Sequence, residues 1–115
     1  MNITETPKGS ITIVALNGSL DASTVAELQK SPALTNVSKS VVIDLEHIDF
    51  LDSSGLGALI GTLRKKREMK AETLLSCMND KISQVFEITN AHRLFHIFDD
   101  TSAAVDYAKQ MIERS

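Results

Sequence analysis

The chain has 115 residues, of which 43% are hydrophobic and 23% charged, close to what a globular domain carries. Twelve basic against fifteen acidic residues leave a net charge of −3, which argues against a dedicated nucleic-acid binder. A single cysteine, Cys77, excludes an internal disulfide. No apolar run approaches the roughly 18 residues needed to span a bilayer, and Met1-Asn2-Ile3-Thr4-Glu5 lacks the features of a signal peptide. The expectation is a small soluble cytoplasmic protein.

In chain order, Asn2 to Glu5 predicts a short strand and Thr6-Pro7-Lys8-Gly9 a type I turn. Ser10 to Asn17, rich in β-branched residues, predicts a second strand, so the two form a hairpin. After Gly18, the residues Asp21, Ser23 and Thr24 are candidate helix caps. Thr24 and Glu27 have capping-box spacing before an apolar stripe through Val25 and Leu28. Pro32 should stop or offset that helix. Ser40 to Leu45 is apolar apart from Asp44, as an interior strand requires, and Glu46 to Asp52 reads as a loop. Leu56, Leu59, Ile60 and Leu63 recur at helical spacing and predict a helix to about Met69.

Thr73 to Met78 predicts another strand, and Ile82, Val85 and Phe86 a helix capped by Asn79. Leu94 to Phe98 predicts a last short strand. Ala104, Val105, Ala108, Met111 and Ile112 line a terminal helix after Thr101. Strands alternating with about four helices after an initial hairpin predict one α/β domain over 1–115. Its sheet should be mixed and mostly parallel.

The segment Leu51-Asp52-Ser53-Ser54-Gly55-Leu56-Gly57 joins a buried strand to an amphipathic helix. The first amides of a helix lack internal partners and lie at the positive end of its dipole, so a serine there can cap and a phosphate there would be held. Gly55, Gly57 and Gly61 each cost about 1 kcal/mol relative to alanine in a helix interior. That cost points to a second backbone close by, either the sheet beneath or a partner. Spacing alone favours the plainer reading, in which Asp52 and Ser53 only cap the helix and the glycines only pack.

The stretch from Asp44-Leu45 through Ile48-Asp49-Phe50-Leu51-Asp52-Ser53-Ser54-Gly55-Leu56-Gly57-Ala58-Leu59 closely resembles the signature of anti-sigma factor antagonists, the stand-alone bacterial members of the STAS domain family. Gly18-Ser19-Leu20-Asp21 resembles an earlier glycine-x-leucine-aspartate segment of the same family. The resemblance implies a binding module and not an enzyme. Ser53 then stands where a partner, at once anti-sigma factor and ATP-dependent serine kinase, places phosphate. Phosphorylation would block capture of that partner, and a PP2C-type phosphatase would restore it.

By the same resemblance Asp21 and Asp52 flank the phosphoserine surface, and Ser54, Gly55, Leu56 and Gly57 meet the kinase. It implies no cofactor, no direct nucleic-acid contact, no membrane insertion, and a monomeric or dimeric protein. Two departures stand out. Pro32 and Thr35-Asn36 interrupt a usually continuous helix, and Met69-Lys70-Ala71-Glu72-Thr73 lacks the glycine pair common between helix and strand. The alternative role is constitutive: a STAS-type scaffold or accessory subunit of a transporter or other regulator, with Ser53 a cap or contact residue.

Other signals have plainer readings. Arg64-Lys65-Lys66-Arg67 reads as a solvated helix end favoured by the dipole. His92 and His96, four apart, could share a helical face but lack a third metal ligand. Cys77 and Phe86, Phe95 and Phe98 read as core. A hydrolase serine elbow would need glycine where Leu51 stands, and no Walker A spacing occurs. Asp44, Asp49 and Asp52 suggest a receiver pocket, but the acidic pair and lysine that receivers carry at fixed strand ends are missing.

Overall fold

The computed structural model describes residues 1–114. Five strands, β1 (Asn2–Lys8), β2 (Ile11–Leu20), β3 (Ser40–Leu51), β4 (Thr73–Ser76) and β5 (His96–Phe98), form one sheet in sequence order. The β1–β2 pair is antiparallel and every later pair is parallel. Five helices accompany them: α1 (Val25–Leu28), α2 (Pro32–Thr35), α3 (Ser53–Glu68), α4 (Asp80–Ile88) and α5 (Thr101–Arg114). A 3-10 turn spans Ala91–Arg93.

The topology dictates the layers. Parallel crossovers are right-handed, so strands added in one direction place α1 to α4 on a single face. There Leu28, Leu34, Leu56, Leu59, Leu63, Ile82 and Phe86 pack on Val14, Ile43, Leu45 and Leu75. The last helix, α5, covers the opposite face through Ala104, Val105 and Ala108 on Ile11, Val42 and Leu74. Interior strand β3 is therefore covered on both sides, which is why Val41, Val42 and Ile43 are all fully buried.

Several elements differ from the sequence reading. The hairpin turn is Gly9-Ser10, with Lys8 opposite Ile11. Gly9 alone takes a left-handed φ of +68°, the pattern of a II′ turn matching strand twist. Pro7 thus lies inside β1, tolerated because β1 is an edge strand. The first predicted helix splits into α1 and α2, because Ser31 caps a new helix that Pro32 starts. Glu5 of β1 braces that start, accepting from the Ser31 hydroxyl at 2.6 Å and the Ala33 amide at 3.2 Å.

β2 continues to Leu20, and the predicted loop at Glu46 to Asp52 is strand as far as Leu51. Pairing slips by one residue twice, between Ala15 and Asn17 and between Gly18 and Ser19. Each bulge gives β3 an extra residue and breaks its alternation, so the segment lacks a period of two.

Cys77 lies just past β4, half-buried at φ +62°, its amide donating to the Phe98 carbonyl at 3.0 Å. It is not the strand core residue expected. Phe98 is half-buried, whereas Phe86 and Phe95 are core as read. His92 sits in the 3-10 turn and His96 in β5, so they share no helical face. No cluster of three His, Cys, Asp or Glu residues suited to a metal occurs among the described residues. No helix among them is long and apolar enough to cross a membrane.

The basic run also departs from its reading. Arg64, Lys65 and Arg67 are exposed, but Lys66 is 0% exposed. Its Nζ donates to the carbonyls of Ala33 at 2.7 Å, Asn36 at 2.8 Å and Lys39 at 2.7 Å. Three donors meet three acceptors, tying α3 to the α2–β3 connection. Desolvation, helped by the nearby Lys39 charge, lowers the Lys66 ammonium to about 8.

Candidate functional site at the β3–α3 junction

Asp52 is the hinge between strand and helix, extended at φ −108° and ψ −175°. Its Oδ1 accepts from the Gly55 amide at 3.0 Å, satisfying one orphan donor of the first turn. Its own amide donates to the Leu20 carbonyl at 3.3 Å, and its carbonyl accepts from the Leu56 amide at 2.9 Å. Held on three sides, Asp52 fixes the direction in which α3 leaves the sheet. Ser53 and Ser54 are the first two residues of α3, and both are exposed.

A second wall comes from the end of β2. Asp21 follows Leu20, whose carbonyl receives the Asp52 amide, so the two aspartates flank one short backbone contact. The Ser23 hydroxyl and amide donate to the Asp21 carboxylate at 2.5 and 2.9 Å, and the hydroxyl above all holds its pKa below the ordinary carboxylate value against the opposing effect of desolvation. The predicted capping box does not form. Thr24 accepts from the Asp21 amide at 3.0 Å and donates to the Ser19 carbonyl at 2.7 Å, leaving no cap bond for α1. The Ser19 hydroxyl donates to Asp49 at 2.9 Å, closing a second tie between the ends of β2 and β3.

The expected site residues divide into two groups. Asp21, Asp52, Ser53, Ser54 and Gly57 lie at least partly on the surface. Gly55 and Leu56 do not; both are buried, and Leu56 is 7% exposed within the core. The Leu56 side chain packs inward and supports the junction from beneath. Helical phase decides this, since Leu56, Leu59 and Leu63 share the inward stripe.

The three glycines also separate. A Cβ at Gly55 would strike the backbone of Leu20, whereas one at Gly57 or Gly61 would meet nothing within 4 Å. The sheet explains Gly55 alone. Gly57→Ala is expected to raise stability by about 0.5–1 kcal/mol through helix propensity, measured as a rise in urea midpoint at unchanged m. A fall would show that Gly57 is needed inside the fold.

Phe50 was missed by the sequence reading. It is 44% exposed at the end of β3, two residues before Asp52, and the β3 bulges hid it inside an apparent loop. It places an exposed apolar ring beside the acidic, serine-bearing start of α3.

The fold is a mixed sheet with an N-terminal antiparallel hairpin, and the candidate site sits where α3 leaves β3. The STAS domain family matches residues 2–104. The chain belongs to the STAS domain family. It is 31% identical over 103 residues to the anti-sigma-B factor antagonist of Staphylococcus aureus (strain NCTC 8325 / PS 47), covering 88% of this chain and 95% of that protein.

The crystal structure of an anti-sigma factor antagonist from Mycobacterium paratuberculosis shares the fold with a TM-score of 0.82 at 21% identity, over 94% of this chain and 93% of that one. The Bacillus cell fate determinant SpoIIAA in its phosphorylated form shares it at 0.65 and 19% identity, over 92% and 98% of the two chains.

Proposed function

We propose that the chain, acting as one domain over 1–115, is an anti-sigma factor antagonist that works by partner switching and performs no catalysis itself. Unphosphorylated, it captures an anti-sigma factor that is also a serine kinase, and a sigma factor is released. The kinase transfers the γ-phosphoryl group of ATP to the Ser53 Oγ, with ADP leaving. A PP2C-type phosphatase hydrolyses the phosphoserine and restores capture.

The observation that carries this reading is the position of Ser53: an exposed hydroxyl on the first residue of α3, at a junction fixed by Asp52 and Leu20. A phosphate there adds about −1.5 to −2 charges beside the carboxylates of Asp52 and Asp21. The amino end of α3 offsets part of that charge. No buried group has to move, so the effect falls on the partner. At intermediate dielectric a close like-charge pair is worth on the order of 4 kcal/mol before relaxation.

Asp21, Asp52, Ser54 and Gly57 form the contact surface, with Gly55 and Leu56 holding it from beneath. The name of the S. aureus relative and the phosphorylated state of SpoIIAA support the reading.

Phosphopeptide mapping of the native protein, with and without stress, tests it. Phosphate on Ser53 that changes with condition is the expected result. Ser53→Ala should bind the anti-sigma partner permanently, and Ser53→Asp should bind it at least about tenfold more weakly, a loss of ~1.4 kcal/mol. Ser54→Ala should still accept phosphate. A Ser53 never phosphorylated in cells, with equal partner affinity for both Ser53 variants, would replace switching by constitutive binding.

A further inference from the structure

A cavity of about 400 Å³ opens at the amino end of β4, where the chain enters the sheet from Glu72 and Thr73. Ser53 follows the carboxyl end of β3, so the two places lie at opposite ends of the parallel strands. We propose that this cavity binds a small organic anion with an apolar body, its head held by Arg67 and Lys70 and its body laid on Leu63, Leu94 and Met111. The volume falls at the small end of the roughly 300–1,000 Å³ typical of ligand pockets. This inference is independent of the switching mechanism.

Lys70 is the first reason. It follows the C-cap of α3 at φ +60°, a left-handed conformation that favours glycine. Its amide donates to the Arg67 carbonyl at 3.0 Å and the Ala71 amide to the Lys66 carbonyl at 2.9 Å, the paired bonds of a Schellman ending. Glycine would make both bonds without the left-handed penalty that a side chain brings. The strain is carried by a lysine that lines the cavity, and strain of this kind collects at ligand sites.

The second reason is unspent charge and hydrogen-bonding capacity on the walls. Among the described residues, neither Arg67 nor Lys70 has a carboxylate within ion-pair distance. Arg67 gives one N–H to the Leu94 carbonyl at 3.3 Å, and guanidinium has five donors to offer. Thr73, 2% exposed, forms part of the wall, and its hydroxyl has no hydrogen-bond partner. Glu72 also lines the cavity and opposes a second anionic head elsewhere on the ligand, so a body with one head fits.

The test is an NMR titration of the full chain with sodium octanoate, octyl phosphate, octanol and acetate. Saturable shifts centred on Ala71, Thr73 and Leu94 are expected with at least one of the two alkyl anions, and the tighter one identifies the head as carboxylate or phosphate. Octanol lacks the head and acetate the body, so each should bind at least tenfold more weakly. Arg67→Gln should weaken the alkyl anion about tenfold. Lys70→Gly should weaken it several-fold while raising the unfolding midpoint, so that loss of binding cannot be loss of fold. No saturable shift with either alkyl anion overturns the proposal. So does octanol binding as tightly as octanoate, or binding unchanged by both substitutions, since either reduces the cavity to an apolar surface.

Discussion

Gly55→Ala is expected to lower stability by about 4 kcal/mol, at the upper end of single-residue effects. The added Cβ would run into the Leu20 carbonyl oxygen and lie 2.8 Å from both its carbon and the Leu20 Cγ. Two of those atoms are backbone at the carboxyl end of β2, so rotamer change cannot relieve the contact. Either the end of β2 or the first turn of α3 must move.

Movement on that scale breaks the hydrogen bond from the Asp52 amide to the Leu20 carbonyl and the Asp52 cap on Gly55 together. Urea denaturation measures the loss, and thermal unfolding should fall by roughly 15 °C. Gly57→Ala, two residues on, is the internal control because its Cβ meets open space. Equal effects at the two positions would show that propensity, not packing, governs Gly55.

Lys66→Met should cost about 3 kcal/mol at neutral pH, because three carbonyls of the α2–β3 connection lose their shared donor. Methionine keeps the length and apolar contacts of the stem but offers no proton. The pH dependence gives a second, sharper signature. Burial holds the folded-state lysine at about 8, against an ordinary value of 10.5. Below the lower value both states carry the proton. Between the two, only the unfolded chain carries it, so this lysine makes wild-type stability rise with pH across that window.

The variant lacks this contribution, and the gap between the two proteins should widen by up to about 1.4 kcal/mol per pH unit. Parallel curves from about pH 8 upward, read by denaturation at each pH, would show that Lys66 is not desolvated by folding.

How far the sequence carried the description depends on whether each element's signal is local. β-branched residues at Ile11 to Val14 and an apolar run at Val41 to Ile43 announce strands wherever they sit. The Leu56, Leu59, Leu63 stripe announces a helix with one buried face. The Asp-Ser-Ser-Gly segment showed a capped helix start by itself, since a capping aspartate followed by free amides needs no distant partner to be recognised, and the family resemblance of that segment marked it as the candidate site. The single cysteine and the short apolar runs likewise set limits by themselves.

What stayed hidden depends on neighbours far away in the chain. The strand character of Glu46 to Leu51 rests on pairing with β2 through two bulges, which erase the alternation that would have revealed it. Lys66 looked like its three cationic neighbours, and only the carbonyls of residues 33, 36 and 39, folded around its tip, distinguish it. Three glycines of equal propensity became one required by Leu20 and two that nothing inside the fold requires.

Local propensity and hydrophobic period are written in adjacent residues, so the sequence determined the kinds of element, the α/β class and the position of Ser53. Which side chains are buried, which backbone atoms touch and where a cavity remains are properties of segments brought together from thirty residues apart. The tertiary structure alone decided those.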